Sequence, residues 1–171
     1  MTEQDWDNVP LIAGSGGVLT EELRTTHSGR KALMLTRQAD PSEFLSLAKT
    51  MDIAVVEIVS QKGRSNPRLH FGRGRLEAIR DELRMAPESH PWFGVDLILV
   101  NANLTPRQLV NMTDLLQFET WDRVRLLLEL FTQHASSVEA RNQVRIARLN
   151  ADRNILRELV NRETTGERLG F

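Results

Sequence analysis

Cysteine is absent from the 171-residue sequence, so disulfides and thiolate zinc sites are excluded. His27, His70, His90 and His134 are scattered without the close spacing of metal ligands, and no metal site is read. No apolar run approaches the roughly 18 to 20 residues that cross a bilayer. The acidic start MTEQDWDN lacks the basic segment of a signal peptide, and the expected compartment is the cytoplasm. GKS and GKT occur nowhere, which excludes a P-loop. Lysine is scarce, with only Lys31, Lys49 and Lys62 among 22 basic residues.

Arginine therefore carries most of the positive charge. Its planar fork stays charged and suits phosphate, a bias toward nucleic acid, although a solvated, salt-bridged surface accounts for the composition equally simply. The net charge of -1 hides an uneven distribution. Residues 1–29 hold five acids and one base, whereas Lys62, Arg64, Arg68, Arg73 and Arg75 crowd the stretch 61–75 with no acid. With 40% apolar and 26% charged residues the chain suits one folded domain with an appendage.

Residues 1–29, with Gly14, Ser15, Gly16 and Gly17 in an acidic setting, read as a partly ordered N-terminal extension. Ala32 to Thr36 is a short apolar run that suits a strand. Asp40, Pro41 and Glu43 then give a helix start, with Asp40 as cap, Pro41 in the first helical position and Glu43 as capping-box acid. Phe44, Leu47, Ala48 and Met51 follow at helical spacing. The β-branched run Ile53 to Val59 suits a second strand. A basic loop over 61–74 leads into a helix over 75–85 with Leu76, Ile79 and Leu83 on one side. Val95 to Val100 is a third strand, covered on both faces. Thr105, Pro106 and Gln108 repeat the capping box, and Leu109, Met112, Leu115 and Leu116 face the core. Phe118 to Trp121 forms a fourth strand, and Asp122 caps a helix running through Val124, Leu127, Leu128 and Phe131.

Strands alternating with helices predict an α/β fold: a small parallel four-stranded sheet with helices on both faces over residues 30–135. Residues 136–171 are read as a long helix, free of Pro and Gly from 137 to 165. Ile146, Leu149, Leu156 and Val160, interrupted by Arg153, make a seam for one partner helix.

Two basic features are candidate anion or RNA sites. In the loop, Arg68, Gly72, Arg73, Gly74 and Arg75 combine charge with glycines that free backbone N–H groups at a helix start. Glu77 occupies the third glycine position of a dinucleotide fingerprint, which excludes that motif. On the long helix, Arg141, Arg145 and Arg148 fall on one face. Glycines serving turn geometry and arginines paired along a solvated helix are the competing readings. No catalytic constellation and no cofactor site can be aligned.

Three segments resemble the HflX-type, ribosome-associated GTPases. Leu69-His70-Phe71-Gly72-Arg73-Gly74-Arg75-Leu76-Glu77 is similar to the family's aromatic-Gly-Lys-Gly-Lys-x-Glu stretch. Leu104-Thr105-Pro106-Arg107-Gln108-Leu109-Val110-Asn111 is similar to its Leu-Ser-Pro-x-Gln-x-x-Asn motif. Asp122-Arg123, Leu130-Phe131 to His134-Ala135 and Glu139 to Val144 are similar to its Asp-Arg, Ile-Phe-x-x-Arg-Ala and Glu-x-x-x-Gln-Val sequence. Asn101-Ala102-Asn103 departs from the family, which carries acids there, and Arg73 and Arg75 replace lysines.

The resemblance implies an N-terminal α/β region whose long helix pairs with a second long helix, Gly166 to Phe171 resembling the Gly-rich connection between them. It also implies contact with rRNA of the large ribosomal subunit. GTP and Mg would belong to a GTPase domain absent from these residues, so that this chain alone is no enzyme while its parent is a GTPase. An ATP-binding α/β domain, or a free-standing scaffold forming a homodimer through the exposed helix seam, are the alternatives.

Overall fold

A computed structural model describes residues 27–166. The N-terminal reading over Gly14 to Gly17 and the continuation past Gly166 lie outside them. The elements run β1 (Lys31–Thr36), α1 (Ser42–Thr50), β2 (Ala54–Ser60), α2 (Arg73–Met85), β3 (Leu97–Val100), α3 (Pro106–Leu116), β4 (Glu119–Trp121), α4 (Arg123–His134) and α5 (Val138–Thr165). The four strands pair in the order β2-β1-β3-β4, every pair parallel, as the alternation of strands and helices predicts.

Both central strands lack polar alternation because both of their faces are covered. Leu33, Leu35, Ile98 and Val100 pack under Leu76, Ile79 and Leu83 of α2 and Met112, Leu115 and Leu116 of α3. Ala32, Met34, Leu97 and Leu99 point the other way, into Phe44 and Ala48 of α1, Trp121 of β4 and Leu126 of α4. Three layers result.

Local chemistry explains most helix boundaries. The Thr105 hydroxyl accepts the Gln108 N–H (3.2 Å) while the Gln108 side chain accepts the Thr105 N–H (3.1 Å), completing the expected box. Asp122 accepts the Arg125 N–H at 2.9 Å and so starts α4. Ser137 accepts the Ala140 N–H at 3.0 Å and starts α5.

Four expectations need correction. Pro41, not Asp40, is the cap of α1, and Asp40 instead accepts the Ser42 N–H at 2.9 Å from one residue further out. Glu43 closes no box, because its carboxylate is drawn to Arg123. On α4 the buried side chains are Arg125, Leu126 and Glu129, whereas Val124 and Phe131 are exposed. Its inward face is held by charges, which hydrophobic spacing cannot register. Finally, His27 is buried against Glu129, so the body takes in a residue of the stretch 1–29 that was read as an extension.

α5 lies against both α3 and α4. Only Ile155 of its 28 residues is fully buried, packed on Leu109 and Val110. Ionic links do the rest: Arg148 to Glu129 (3.1 Å), Arg125 to Asp152 (3.9 Å) and Arg162 to Asp114 (2.5 Å). Ile146, Leu149, Leu156 and Val160 stay on the solvent side, as the seam predicts. Among the described residues no helix is long and apolar enough to cross a membrane.

Candidate functional site

In a parallel sheet every loop that follows a strand emerges at the same edge, so the segments after β1, β2 and β3 gather there. The chain passes from β1 outward to β2, then back across β1 to β3, and the direction reverses between β1 and β3. Asn101 spans this point: its amide donates to the Thr36 hydroxyl (3.3 Å) and its N–H to the Leu35 carbonyl (2.9 Å). Arg123 donates to the Asn101 side-chain oxygen at 3.5 Å. The asparagine that replaces the family's acid is thus buried and engaged within the fold.

The basic loop after β2 is a constrained structure. Asn66 and His70 exchange backbone hydrogen bonds of 3.2 and 2.8 Å, which pinches residues 66–70 into a narrow turn. The Asn66 side-chain oxygen accepts the N–H groups of Arg68 (2.8 Å) and Leu69 (3.0 Å) from inside it. His70 sits at φ 60°, and its Nδ1 lies 3.0 Å from the Ser65 hydroxyl. Burial, helped by the Arg37 charge, holds the His70 pKa below the usual histidine value. Leu69 and Phe71 anchor the turn in the core, and Arg37 lies over the Phe71 ring at 5.8 Å while donating to the Gly63 carbonyl.

Helix α3 grips the turn from behind. The Gln108 amide donates to the Asn66 and Pro67 carbonyls, each at 3.3 Å, and the Asn111 amide donates to the Arg68 carbonyl at 2.9 Å. Three consecutive carbonyls are thereby turned inward, while the Arg68 side chain is exposed. Gln108 has two tasks, capping through its oxygen and clamping through its nitrogen.

The helix start differs from expectation. α2 begins at Arg73, two residues before the expected Arg75, so Arg73 and Gly74 lie in its first turn with Arg75 rather than in the preceding loop. Neither glycine adopts a left-handed conformation there, and the Gly72 N–H is taken by the Gln61 side chain at 2.9 Å, leaving it unavailable to an anion. A Cβ at Gly72 would come within 2.9 Å of the Gln61 amide nitrogen, the end of a flexible side chain that would have to shift. Arg73 pairs with Glu77 at 2.8 Å, and Arg75 is exposed. Two cations in a first turn oppose the helix dipole, so local helix stability does not account for them.

The arginines of α5 divide. Arg141 and Arg145 are exposed and flank a groove shared with Thr132 and Asn142. Arg148 turns inward to Glu129, so the three-residue stripe read from spacing is reduced to two outward cations.

A family model described as "GTP-binding GTPase N-terminal" matches residues 38–132. The chain belongs to this family. Among curated proteins, the GTPase HflX of Thermococcus kodakarensis is 33% identical over 130 residues, 76% of this chain and 28% of that protein. The GTPase HflX of Caldanaerobacter subterraneus subsp. tengcongensis is 36% identical over 109 residues, 63% of this chain and 24% of its own length. The chain therefore spans about a quarter of these relatives. A GTP-binding protein from Sulfolobus solfataricus, solved in complex with GDP, shares the fold with a TM-score of 0.61 and 24% identity, covering 79% of this chain and 40% of that one.

Within this HflX-type N-terminal region, two of the family-like segments are in physical contact: Gln108 and Asn111 of one hold the turn that leads into the other. Sequence reading placed both motifs but not their junction. A second feature went unread, the buried cluster of His27, Arg125, Glu129, Arg148 and Asp152. Its members come from three separate segments, and only the i,i+4 spacings of Arg125 with Glu129 and of Arg148 with Asp152 hinted at it.

Proposed function

We propose that this HflX-type region is the rRNA-contacting and regulatory part of a GTP-binding protein that acts on the large ribosomal subunit. The carrying observation is the clamped turn: its carbonyls face α3, so Arg68 at the tip, with Lys62, Arg64 and Arg75 nearby in sequence, offers cations on a backbone already ordered. Preorganisation lowers the entropy cost of binding a phosphate backbone. Arg73, through its Glu77 partner, and the outward pair Arg141 and Arg145 extend the proposed RNA-facing surface. In this reading the nucleotide and its Mg belong to a GTPase domain outside these 171 residues, and the site lies in the cytoplasm.

Co-sedimentation with large ribosomal subunits over a salt series tests it. Binding weakens as salt rises, and Arg68→Ala with Arg75→Ala lowers the log–log slope by about 0.7 to 0.9 for each phosphate that is no longer neutralised. Binding that ignores both salt and these substitutions overturns the reading.

The sheet's reversal between β1 and β3 supports a second reading, an ATP site, because ligands of open α/β sheets sit at such a point. Calorimetric titration with millimolar ATP that releases no heat removes it. The exposed seam of α5 suits a second long helix, with a homodimer as the alternative occupant. A sedimentation coefficient that stays at the monomer value across concentrations removes the homodimer.

A further inference from the structure

Inside the turn at residues 66–70 every backbone polar group already has a partner. The Asn66 N–H donates to the His70 carbonyl (3.2 Å) and the His70 N–H to the Asn66 carbonyl (2.8 Å), while Pro67 has no N–H to offer. The N–H groups of Arg68 and Leu69 both donate to the Asn66 side-chain oxygen. Gln108 and Asn111 take the Pro67 and Arg68 carbonyls, and the Leu69 carbonyl accepts the Phe71 N–H at 2.6 Å. A partner of this turn must therefore be held by side chains.

The side chains on offer are of one chemical kind. Lys62, Arg64, Arg68, Arg73 and Arg75 are exposed. The two amide residues of the stretch 61–75, Gln61 and Asn66, spend their oxygens on the Gly72 N–H and on the turn itself. Phe71 is buried, and His70 is half-buried with its ring packed on Phe71 at 5.2 Å and its Nδ1 on the Ser65 hydroxyl, so neither is an exposed stacking platform. The exposed Phe93 precedes β3 and belongs to the opposite edge of the sheet.

Proteins that read single-stranded RNA stack its bases on aromatic rings and hydrogen-bond their edges. Here cations on an ordered backbone remain, and they suit phosphates that are themselves held in order. Duplex RNA supplies these, while its deep, narrow major groove keeps side chains from the base edges. Resting on the rRNA-contacting reading, we propose that the turn binds the phosphate backbone of double-helical RNA without reading its sequence. Arg68 makes the contact at the tip, and Arg64 and Arg75 add charge from either side of it in sequence.

Fluorescence anisotropy of the 171-residue chain tests this. The probes are two RNA hairpins of equal length and unrelated stem sequence, and oligouridine with the same number of phosphates. The hairpins are expected to bind within about threefold of each other, and oligouridine at least about tenfold more weakly than either. Arg68→Ala weakens both hairpins by the same factor and lowers the log–log salt slope by about 0.7 to 0.9, the loss of one phosphate contact. A larger preference between the hairpins, a loss on Arg68→Ala confined to one of them, or oligouridine binding inside that margin overturns the proposal. Co-sedimentation with large ribosomal subunits separates it from the reading beneath it. Subunits that bind while neither hairpin does refute the duplex contact alone, and binding to neither refutes the RNA reading as well.

Discussion

His27 Nε2 lies 3.1 Å from Glu129 Oε2, both side chains buried, across 102 positions of sequence. The contact ties the start of the body to α4, and Glu129 passes it on to α5 through Arg148 at 3.1 Å. Burial alone would raise the Glu129 carboxyl, but the His27 hydrogen bond and the charges of Arg125 and Arg148 outweigh it, and the pKa ends below the usual value. A depressed carboxylate contributes stability above its unfolded pKa and loses it as pH falls through the folded value. Glu129→Gln is therefore expected to destabilise the protein by about 3 kcal/mol at neutral pH, since it leaves the buried Arg125 and the half-buried Arg148 short of a counter-charge. Urea unfolding from pH 7 down to pH 3 measures it, with the gap to the parent closing at the acid end. A constant gap refutes the linkage.

Asp152 works in the opposite sense. Burial raises its pKa, with Glu129 adding to the rise and Arg125 and Arg148 opposing it. A raised carboxyl weakens the fold above its folded pKa, and the penalty fades as pH drops through that value. Asp152→Asn should stabilise the chain at pH 7 by up to about 1 kcal/mol, an advantage that shrinks toward pH 4. A loss of stability at pH 7 would show that the Arg125 pairing outweighs burial.

Asn111 holds the Arg68 carbonyl at 2.9 Å. Asn111→Ala removes the donor and is expected to cost about 1 kcal/mol, the net worth of one such hydrogen bond. Hydrogen exchange at residues 66–70 should quicken while exchange in β1 and β3 does not. Uniform acceleration would instead indicate global destabilisation rather than release of the turn.

Ile155 and Leu149 occupy opposite situations on one helix. Ile155→Ala, which empties a buried contact with Leu109 and Val110, should cost about 2 to 4 kcal/mol. Leu149→Ser, at a position 59% exposed, should alter stability by no more than about 0.5 kcal/mol in this chain. Paired urea melts of the two variants check both figures, and comparable losses would mean that the seam is packed in solution.

The layered sheet, the capping box at Thr105 and Gln108 and the long helix were all readable, because each rests on local periodicity or on residues within one turn. The inward face of α4 was not. Hydrophobic spacing selected Val124 and Phe131, whereas Arg125 and Glu129 are buried, stabilised by partners as distant as His27 and Arg148. The candidate site divides in the same way. Arg68 and the stretch from Gly72 to Arg75 stand out as charge and glycine, but the grip of Gln108 and Asn111 requires residues more than forty positions apart to meet, and no local pattern encodes that.

The seating of α5 has a mechanical meaning. Twenty-eight residues give a rod of about 42 Å, and its single deep apolar contact, Ile155, stands ten residues from the C-terminal end and seventeen from the other. Ion pairs hold the rod on both sides of that contact, Arg148 to Glu129 at 3.1 Å and Arg162 to Asp114 at 2.5 Å, so displacing either arm must break a charge pair as well as strain the apolar seat.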